Sequence, residues 1–450
     1  MNPSREKILV DLQDGLKTIP LMDVHTHIDA SHLSARGLHD ILLYHMVISD
    51  LYSAGCPSGA RLSEDPDPSE AESRLLEAIP YIQHIQNTST FWGVKLILKN
   101  LYGWTEPVTT SNWRKLDALI HEHSQDSSWP RAILKRARIH RQGTELWRGR
   151  DGSANDILQY SLEWAFFSRS QRDQYDIPLF ELEKAWNEVI PSPPLPVTLS
   201  KRPALAKVIR TIQDVHEAMQ YYCDLIPYER VVSTAQHLST DIRYRRVTQE
   251  EMAKALKNRD HAGPIEQEIY SNFLLELFLT ELENHPNQIV FQFSFGAEPL
   301  PFESGSKANQ DTIYQIAEIM ASHPRLQFQV FLSSAHANQA LCTLARELPN
   351  FTLVGYWWHN FFPTIIRQVI SERLDMLPAN KQIGFFSDAY CVDWAYAKAV
   401  VVRNQLAEVL AGRVAQGQYS FDDALGIARV ILYETPQSAL RFTPSPVLMG

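Results

Sequence analysis

The chain has 450 residues, of which 44% are hydrophobic and 21% are charged, as is usual for a globular protein with a sizeable core. The formal net charge is −10, from 42 basic and 52 acidic residues. This balance argues against a nucleic-acid-binding protein, because such proteins usually present a basic face.

Targeting and redox features favour a cytoplasmic protein. The charged N-terminus lacks the apolar core of a signal peptide, and no run of 18 apolar residues indicates a transmembrane helix. The four cysteines are scattered and form no CxxC pair, so we expect no disulfide framework: Cys56, Cys223, Cys342 and Cys391.

The first third of the chain combines one strand with many helical patterns. Residues 4–17 predict an amphipathic helix, and "PLMDVHTHI" (20–28) predicts a strand. Residues 38–53 have helical periodicity. Residues 51–135 are mostly helical and are interpreted as an insertion subdomain after the first strand.

The middle of the chain is less regular. Within 136–170, "ARIHRQGTELW" and "YSLEWAFFS" predict short strands with a helix between them. The proline-rich segment 190–203 predicts a surface connection, followed by a helix over 204–226 and a strand in "ERVVSTAQHLS".

Four strand–helix units follow each other in the C-terminal half. Their strands are "NQIVFQFSFG", "LQFQVFLSS", "FTLVGYWWH" and "KQIGFFSDA". Alternating apolar strands and helices predict a parallel sheet and an α/β fold, here a (β/α)8 TIM-like barrel formed by residues 1–50 and 136–450. A doubly wound open sheet is the alternative, but the sequence contains no glycine-rich phosphate turn to support it.

A pair of histidines and a distant aspartate predict a metal site. His25 and His27 lie at the end of the first strand, and Asp388 follows the last strand. First and last strands are neighbours in a closed barrel, so these side chains would converge at its C-terminal edge. Two imidazoles and one carboxylate suit a divalent ion, with zinc as the favoured choice. An isolated His-x-His pair is common on surfaces, so the prediction depends on Asp388.

Several segments resemble a known family. "MDVHTHI" and "SDA" resemble the amidohydrolase superfamily, a group of metal-dependent hydrolase type. "ILLYHMV", "VGYWWHNFFPTIIRQVISERLDMLP" and "FFSDAYCVDWAYAKAVVVRNQLAEVL" resemble the uronate isomerases, which act on glucuronate or galacturonate. The chain looks like a divergent member, and the resemblance covers roughly residues 5–50 and 285–435.

The resemblance implies a (β/α)8 barrel with one metal ion and a small sugar acid as substrate. The reaction would convert D-glucuronate or D-galacturonate reversibly to the keto-uronate by proton transfer between adjacent carbons. The strand "VFQFSFGAEP" lacks the lysine or histidine that completes two-metal sites in the superfamily's hydrolases.

The resemblance also implies roles for individual residues. They are His25, His27 and Asp388 as metal ligands, Asp388 and His45 as catalytic groups, and His45, Trp357 and Trp358 as substrate-binding groups. Consecutive strand residues face opposite sides, so only one tryptophan is expected to face the pocket unless the strand has already ended. His237 is a further candidate for the pocket wall, with a loop histidine as the alternative. For His336, a capping or surface role is expected.

Three positions depart from the family pattern. Tyr390 replaces the arginine of an Asp-x-Arg motif, and Met46 replaces a tyrosine after the first-helix histidine. The family has an arginine on an early strand, and in "YSLEWAFFSRS" no arginine lies clearly within the strand, with Arg169 near its end. Our hypothesis for Tyr390 is a catalytic role, as a proton relay or a hydroxyl-binding group.

Two other functions stay open on the sequence. One is a mononuclear-zinc hydrolase that acts on a sugar-acid derivative or lactone, with Asp388 as the base. The other is a catalytically silent barrel that binds a sugar acid or a partner. A homo-oligomer is compatible with the sequence, which does not set the number of copies.

Overall fold

The protein is described by a computed structural model that covers residues 4–57, 68–149, 152, 154–163, 175–187, 204–238, 243–295, 310–358 and 361–441. It contains eight parallel strands, and each strand pairs with the next in chain order. They are β1 (Leu21–Asp23), β2 (Ile139–Glu145), β3 (Leu158–Glu163), β4 (Val231–His237), β5 (Val290–Phe295), β6 (Phe328–Leu332), β7 (Phe351–Val354) and β8 (Gln382–Ile383).

The sheet curls into a near-barrel whose edges meet just beyond β1 and β8. The Asp388 amide donates to the His25 carbonyl at 3.0 Å, and the His27 amide donates to the Ala389 carbonyl at 2.8 Å. The predicted α/β TIM-like barrel is therefore confirmed. The doubly wound alternative is wrong, because a doubly wound sheet reverses its strand order and this sheet does not.

The helices pack mainly outside the strands. They are α1 (Arg5–Thr18), α2 (Leu38–Leu42), α3 (His45–Ser53), α4 (Pro68–Ala78), α5 (Ile82–Ile85), α6 (Ser89–Tyr102), α7 (Trp113–Ser124), α8 (Trp129–Ala137), α9 (Ile177–Trp186), α10 (Ile212–Asp224), α11 (Gln249–Lys257), α12 (Pro264–Asn284), α13 (Gln310–Ser322), α14 (Asn338–Glu347), α15 (Pro363–Met376), α16 (Val392–Ala415), α17 (Phe421–Arg429) and α18 (Thr435–Ala439). A π-helical turn, Val430–Glu434, joins α17 to α18.

Local sequence explains the element that follows the N-terminus. The Ser4 side chain caps α1 by accepting a hydrogen bond from the Lys7 amide. Ile8, Leu12 and Leu16 recur every four residues and form the buried face of this helix. That face packs against α16, which is buried on most of its surface and also contacts α6, α8 and α15.

Helices α4–α8 fall largely within the segment predicted to be an insertion. Their apolar side chains join the same core cluster as those of α16. The division into 1–50 with 136–450 and 51–135 stays a prediction. Within the described ranges, no helix combines the length and apolar character needed to cross a bilayer.

Three local predictions differ from the structure. The strand predicted over 20–28 is limited to the three residues of β1. The helix predicted over 38–53 breaks between α2 and α3, where Tyr44 has an extended backbone with φ −65° and ψ 142°. The helix expected between β2 and β3 is instead a 3-10 turn, Leu146–Gly149, in the described part of that loop.

Candidate metal centre

Three side chains converge at the C-terminal edge of β1 and β8. The Nε2 atoms of His25 and His27 lie 3.7 and 3.2 Å from Oδ1 of Asp388. One ligand atom from each of the three residues lies within 4.8 Å of the others. Ligand atoms that each lie about 2.1 Å from a tetrahedral zinc ion are roughly 3.4 Å apart. The group therefore has the donor chemistry and nearly the spacing required to hold a divalent metal ion.

The backbone after β1 directs both histidines to the same side. The Thr26 amide and hydroxyl both bond to the Gly143 carbonyl, at 2.6 and 2.8 Å, and so tie the segment to β2. The residues on either side of Thr26 keep the alternation of an extended chain. His25 and His27 consequently face Asp388 although the regular strand has already ended at Asp23.

Asp388 is held in an uncommon backbone conformation. Its φ is +53°, in the left-handed region, which costs a residue other than glycine on the order of 1–3 kcal/mol. The hydroxyl of Tyr44, the residue at the break between α2 and α3, donates to the Asp388 carbonyl at 2.8 Å. The Ser387 amide donates to Oδ1 of Asp23 at 2.7 Å. These bonds fix the turn that carries Asp388 against the first strand.

The two carboxylate oxygens of Asp388 have different partners. Oδ1 is the oxygen nearest to His25 and His27. Oδ2 accepts a hydrogen bond from Trp357 Nε1 at 3.2 Å and lies 3.6 Å from His45 Nε2. One oxygen can therefore bind an ion while the other takes part in proton transfer.

Two charged residues near the site were not found from the sequence. Glu145, the last residue of β2, pairs through Oε1 with Nδ1 of His27. Arg148 Nε donates to the other Glu145 oxygen at 2.7 Å. The sequence signal for Glu145 is an acidic residue at the end of "HRQGTE". The sequence does not show that this segment lies beside the first strand.

Burial and charge compete at these groups. Burial alone would raise the pKa of Asp388, but the hydrogen bond and charge of His27 outweigh it and lower that pKa. Burial likewise opposes ionisation of Glu145, yet His27 and Arg148 lower its pKa to about 2. Burial would lower the pKa of His27, and the carboxylates of Glu145 and Asp388 raise it well above the usual value.

Aromatic rings enclose the histidines. The Tyr390 ring stacks on His27, with centroids 4.8 Å apart and an interplanar angle of 27°. The ring centroids of Trp358 and His45 lie 4.6 Å apart. Both Trp357 and Trp358 border the site. They follow the end of β7 at Val354, so the alternation of side chains along a strand does not force them to opposite faces.

The other candidates lie apart from this cluster or outside the described side chains. Met46 is buried and lines a small cavity with Thr90, Trp394 and Lys398. His237 is the last residue of β4, but its side chain is not among those described. Arg169 lies outside the described residues. His336 is exposed in a 3-10 turn, Ala335–Ala337.

Searches of family models and of curated proteins give no match to this chain. Solved structures do match over nearly the full length. A glucuronate isomerase from Caulobacter crescentus has a TM-score of 0.77 at 16% identity, covering 98% of this chain and 95% of its own. A uronate isomerase from Thermotoga maritima has a TM-score of 0.74 at 12% identity, covering 96% and 97%. A uronate isomerase from Bacillus halodurans has a TM-score of 0.68 at 16% identity, covering 99% of both chains. At these identities the likeness establishes the fold, which is that of the uronate isomerase structures.

Proposed function

We propose that this protein is a metal-dependent uronate isomerase that interconverts a hexuronic acid, D-glucuronate or D-galacturonate, and its keto-uronate. The observation that carries the proposal is the convergence of His25, His27 and Asp388 at the catalytic edge of a barrel. The near-complete structural likeness to uronate isomerases supports this choice of reaction.

The proposed metal ligands are His25 and His27 through Nε2 and Asp388 through Oδ1. A divalent ion bound there, with zinc as our choice, would polarise the carbonyl and hydroxyl oxygens of the sugar. The spacing of the three donor atoms supports one ion at this position.

Asp388 is the proposed proton carrier. An aspartate carboxylate is ionised near neutral pH and can accept a proton. It takes the proton from C2 of the aldose and delivers it to C1, while the hydroxyl proton on O2 moves to O1. The aldehyde thereby becomes a primary alcohol and the C2 alcohol becomes a ketone, so that the reaction needs no oxidant or reductant.

His45 and the surrounding aromatic residues complete the proposed site. His45 relays the hydroxyl proton between the two sugar oxygens, since its Nε2 lies beside Oδ2 of Asp388. Trp357 donates to that oxygen and keeps it oriented, and Trp358 packs against His45. Tyr390 binds a sugar hydroxyl or relays a proton, and His237 is retained as a candidate for the pocket wall.

Arg148 is the proposed anchor for the sugar carboxylate. Its guanidinium lies 5.5 Å from the centre of the Tyr390 ring, next to the position where the family pattern has an arginine. Only its Nε is used by Glu145, and a guanidinium has further donors suited to a carboxylate.

A hydrolase is the second candidate. Tyr390 in place of an arginine weakens the case for a uronate, and a His-His-Asp donor set is equally suited to hydrolysis of a sugar-acid derivative or lactone. Asp388 would then serve as the base that accepts a proton from the attacking water.

The experiment that tests this proposal is a substrate panel with metal-replete protein. Metal analysis should find about one ion per chain, and uronic acids should yield a ketose that is absent without protein. Lactones and sugar esters should be unchanged. Hydrolysis of a lactone with no ketose from any uronate would favour the hydrolase, and protein that binds no metal would contradict both candidates.

A further inference from the structure

We propose that Glu145 is a positioning residue that acts through His27, fixing its ring so that Nε2 is the atom offered to the metal. This inference rests on the proposed function, because it concerns the same metal site. In this proposal Glu145 does not contact the substrate.

The contacts around His27 leave a single direction for metal binding. Nδ1 is engaged by Oε1 of Glu145, and Nε2 lies 3.2 Å from Oδ1 of Asp388. The stacked Tyr390 ring covers one face of the imidazole. Rotation of the His27 ring would therefore break the bond to Glu145 and disrupt the stack.

Glu145 is itself held in place. Its side chain is only 3% exposed, and its second oxygen accepts bonds from Arg148 Nε at 2.7 Å and from the Thr144 hydroxyl at 3.4 Å. It lies at the end of β2, the strand that pairs directly with β1. The carboxylate thus approaches His27 from a rigid neighbouring strand rather than from a loop.

This geometry has a functional consequence. A carboxylate that accepts the Nδ1 proton of a metal-binding histidine fixes the tautomer and makes the other nitrogen a better donor. Loss of such a partner typically weakens metal binding by about 10- to 100-fold. The His25 ring packs against Phe331 and Phe386, with ring centroids 5.3 and 6.0 Å away.

The test measures zinc affinity in competition with a chromophoric chelator, starting from metal-free protein. We expect Glu145→Gln to weaken binding by about 10- to 100-fold. Glu145→Asp, which keeps the charge but shortens the side chain, should retain more affinity than Glu145→Gln. The matched control is Glu183→Gln, because Glu183 also forms a buried pair, with Arg259, at a distance from the metal site. It should leave zinc affinity unchanged.

A double-mutant cycle separates this role from a merely structural one. If Glu145 acts through His27, Glu145→Gln should weaken zinc binding less than about twofold in a His27→Gln background. Unchanged zinc affinity in Glu145→Gln, or an equal loss in both backgrounds, would overturn the inference. If Glu145→Gln does not fold, Glu145→Ala takes its place in the same cycle with the same two criteria. Absence of zinc binding by the unmodified protein would instead contradict the proposed function.

Discussion

His45 Nε2 lies 3.6 Å from Oδ2 of Asp388, the carboxylate oxygen on the opposite side from His25 and His27. The same aspartate therefore connects two histidines suited to metal binding with a third suited to proton transfer. This arrangement separates the two proposed tasks, metal binding and proton transfer, in space, so that mutations can test each of them separately.

The first prediction concerns His45. His45→Gln should lower turnover of the uronate by about 100-fold or more, because general acid–base groups contribute at least that much. Zinc affinity should stay within about threefold, since the residue faces Oδ2 and not the proposed metal-binding oxygen. Steady-state kinetics and metal titration check this, with His39→Gln as a control for a buried histidine on the preceding helix. A parallel loss of zinc would show that His45 belongs to the metal site instead.

The second prediction concerns the Tyr390 hydroxyl. Tyr390→Phe keeps the ring that stacks on His27 and removes only the hydroxyl, so turnover should fall by about 10-fold or more while zinc affinity is retained. The control is Tyr270→Phe, which removes a buried hydroxyl on α12 that donates to the Ala255 carbonyl in α11, and which should lower stability alone. Unchanged turnover in Tyr390→Phe would contradict a role for the hydroxyl.

The third prediction concerns Gly355, which lies between β7 and the tryptophan pair. Its φ is +45°, and a Cβ added there would overlap the Phe386 ring. Gly355→Ala should therefore lower the free energy of unfolding by roughly 2 kcal/mol or more. Gly412→Ala is the matched control, because alanine favours a helix and, apart from the adjoining backbone of α16, no atom of the described residues lies within 4 Å of the added carbon. Thermal unfolding checks both variants, and equal stability of the two would contradict the packing described here.

The fourth prediction concerns pH-dependent stability far from the metal site. His323 Nε2 lies 3.3 Å from Glu276, and its Nδ1 lies 3.2 Å from Glu283. Burial lowers the pKa of His323, but the two carboxylates outweigh it and raise that pKa. The stabilisation is therefore fully present below the unfolded pKa of about 6.5 and is lost as the pH rises through the folded value.

The difference in thermal midpoint between unmodified protein and His323→Gln should consequently be larger at pH 5.5 than at pH 9. A destabilisation of roughly 1 kcal/mol is expected at the lower pH. An equal difference at both pH values would show that His323 contributes by packing and not by charge.

The convergence of the three candidate metal ligands could be predicted from the sequence because one architectural rule links distant residues. His25, His27 and Asp388 follow the first and last strands, and barrel closure brings those strand ends together. The rule needs only the strand order and does not depend on the exact strand lengths. The predicted convergence is therefore found in the structure, although β1 is only three residues long.

Glu145 could not be predicted in the same way. Its pairing with His27 depends on β2 lying beside β1, and about 115 residues of mostly helical sequence separate the two strands. The break at Tyr44 was also hidden, because residues 38–53 have an unbroken helical pattern. At the break, the Tyr44 hydroxyl makes a tertiary hydrogen bond to the Asp388 carbonyl, a contact that local sequence does not encode.

The most direct test of the central claim is proton NMR of zinc-loaded protein with D-glucuronate or D-galacturonate in D₂O. We predict signals of the keto-uronate, and both their appearance and the loss of aldose should be abolished in Asp388→Asn. Zinc-loaded protein that leaves both uronates unchanged over a long incubation would contradict the assignment of this site to uronate isomerisation.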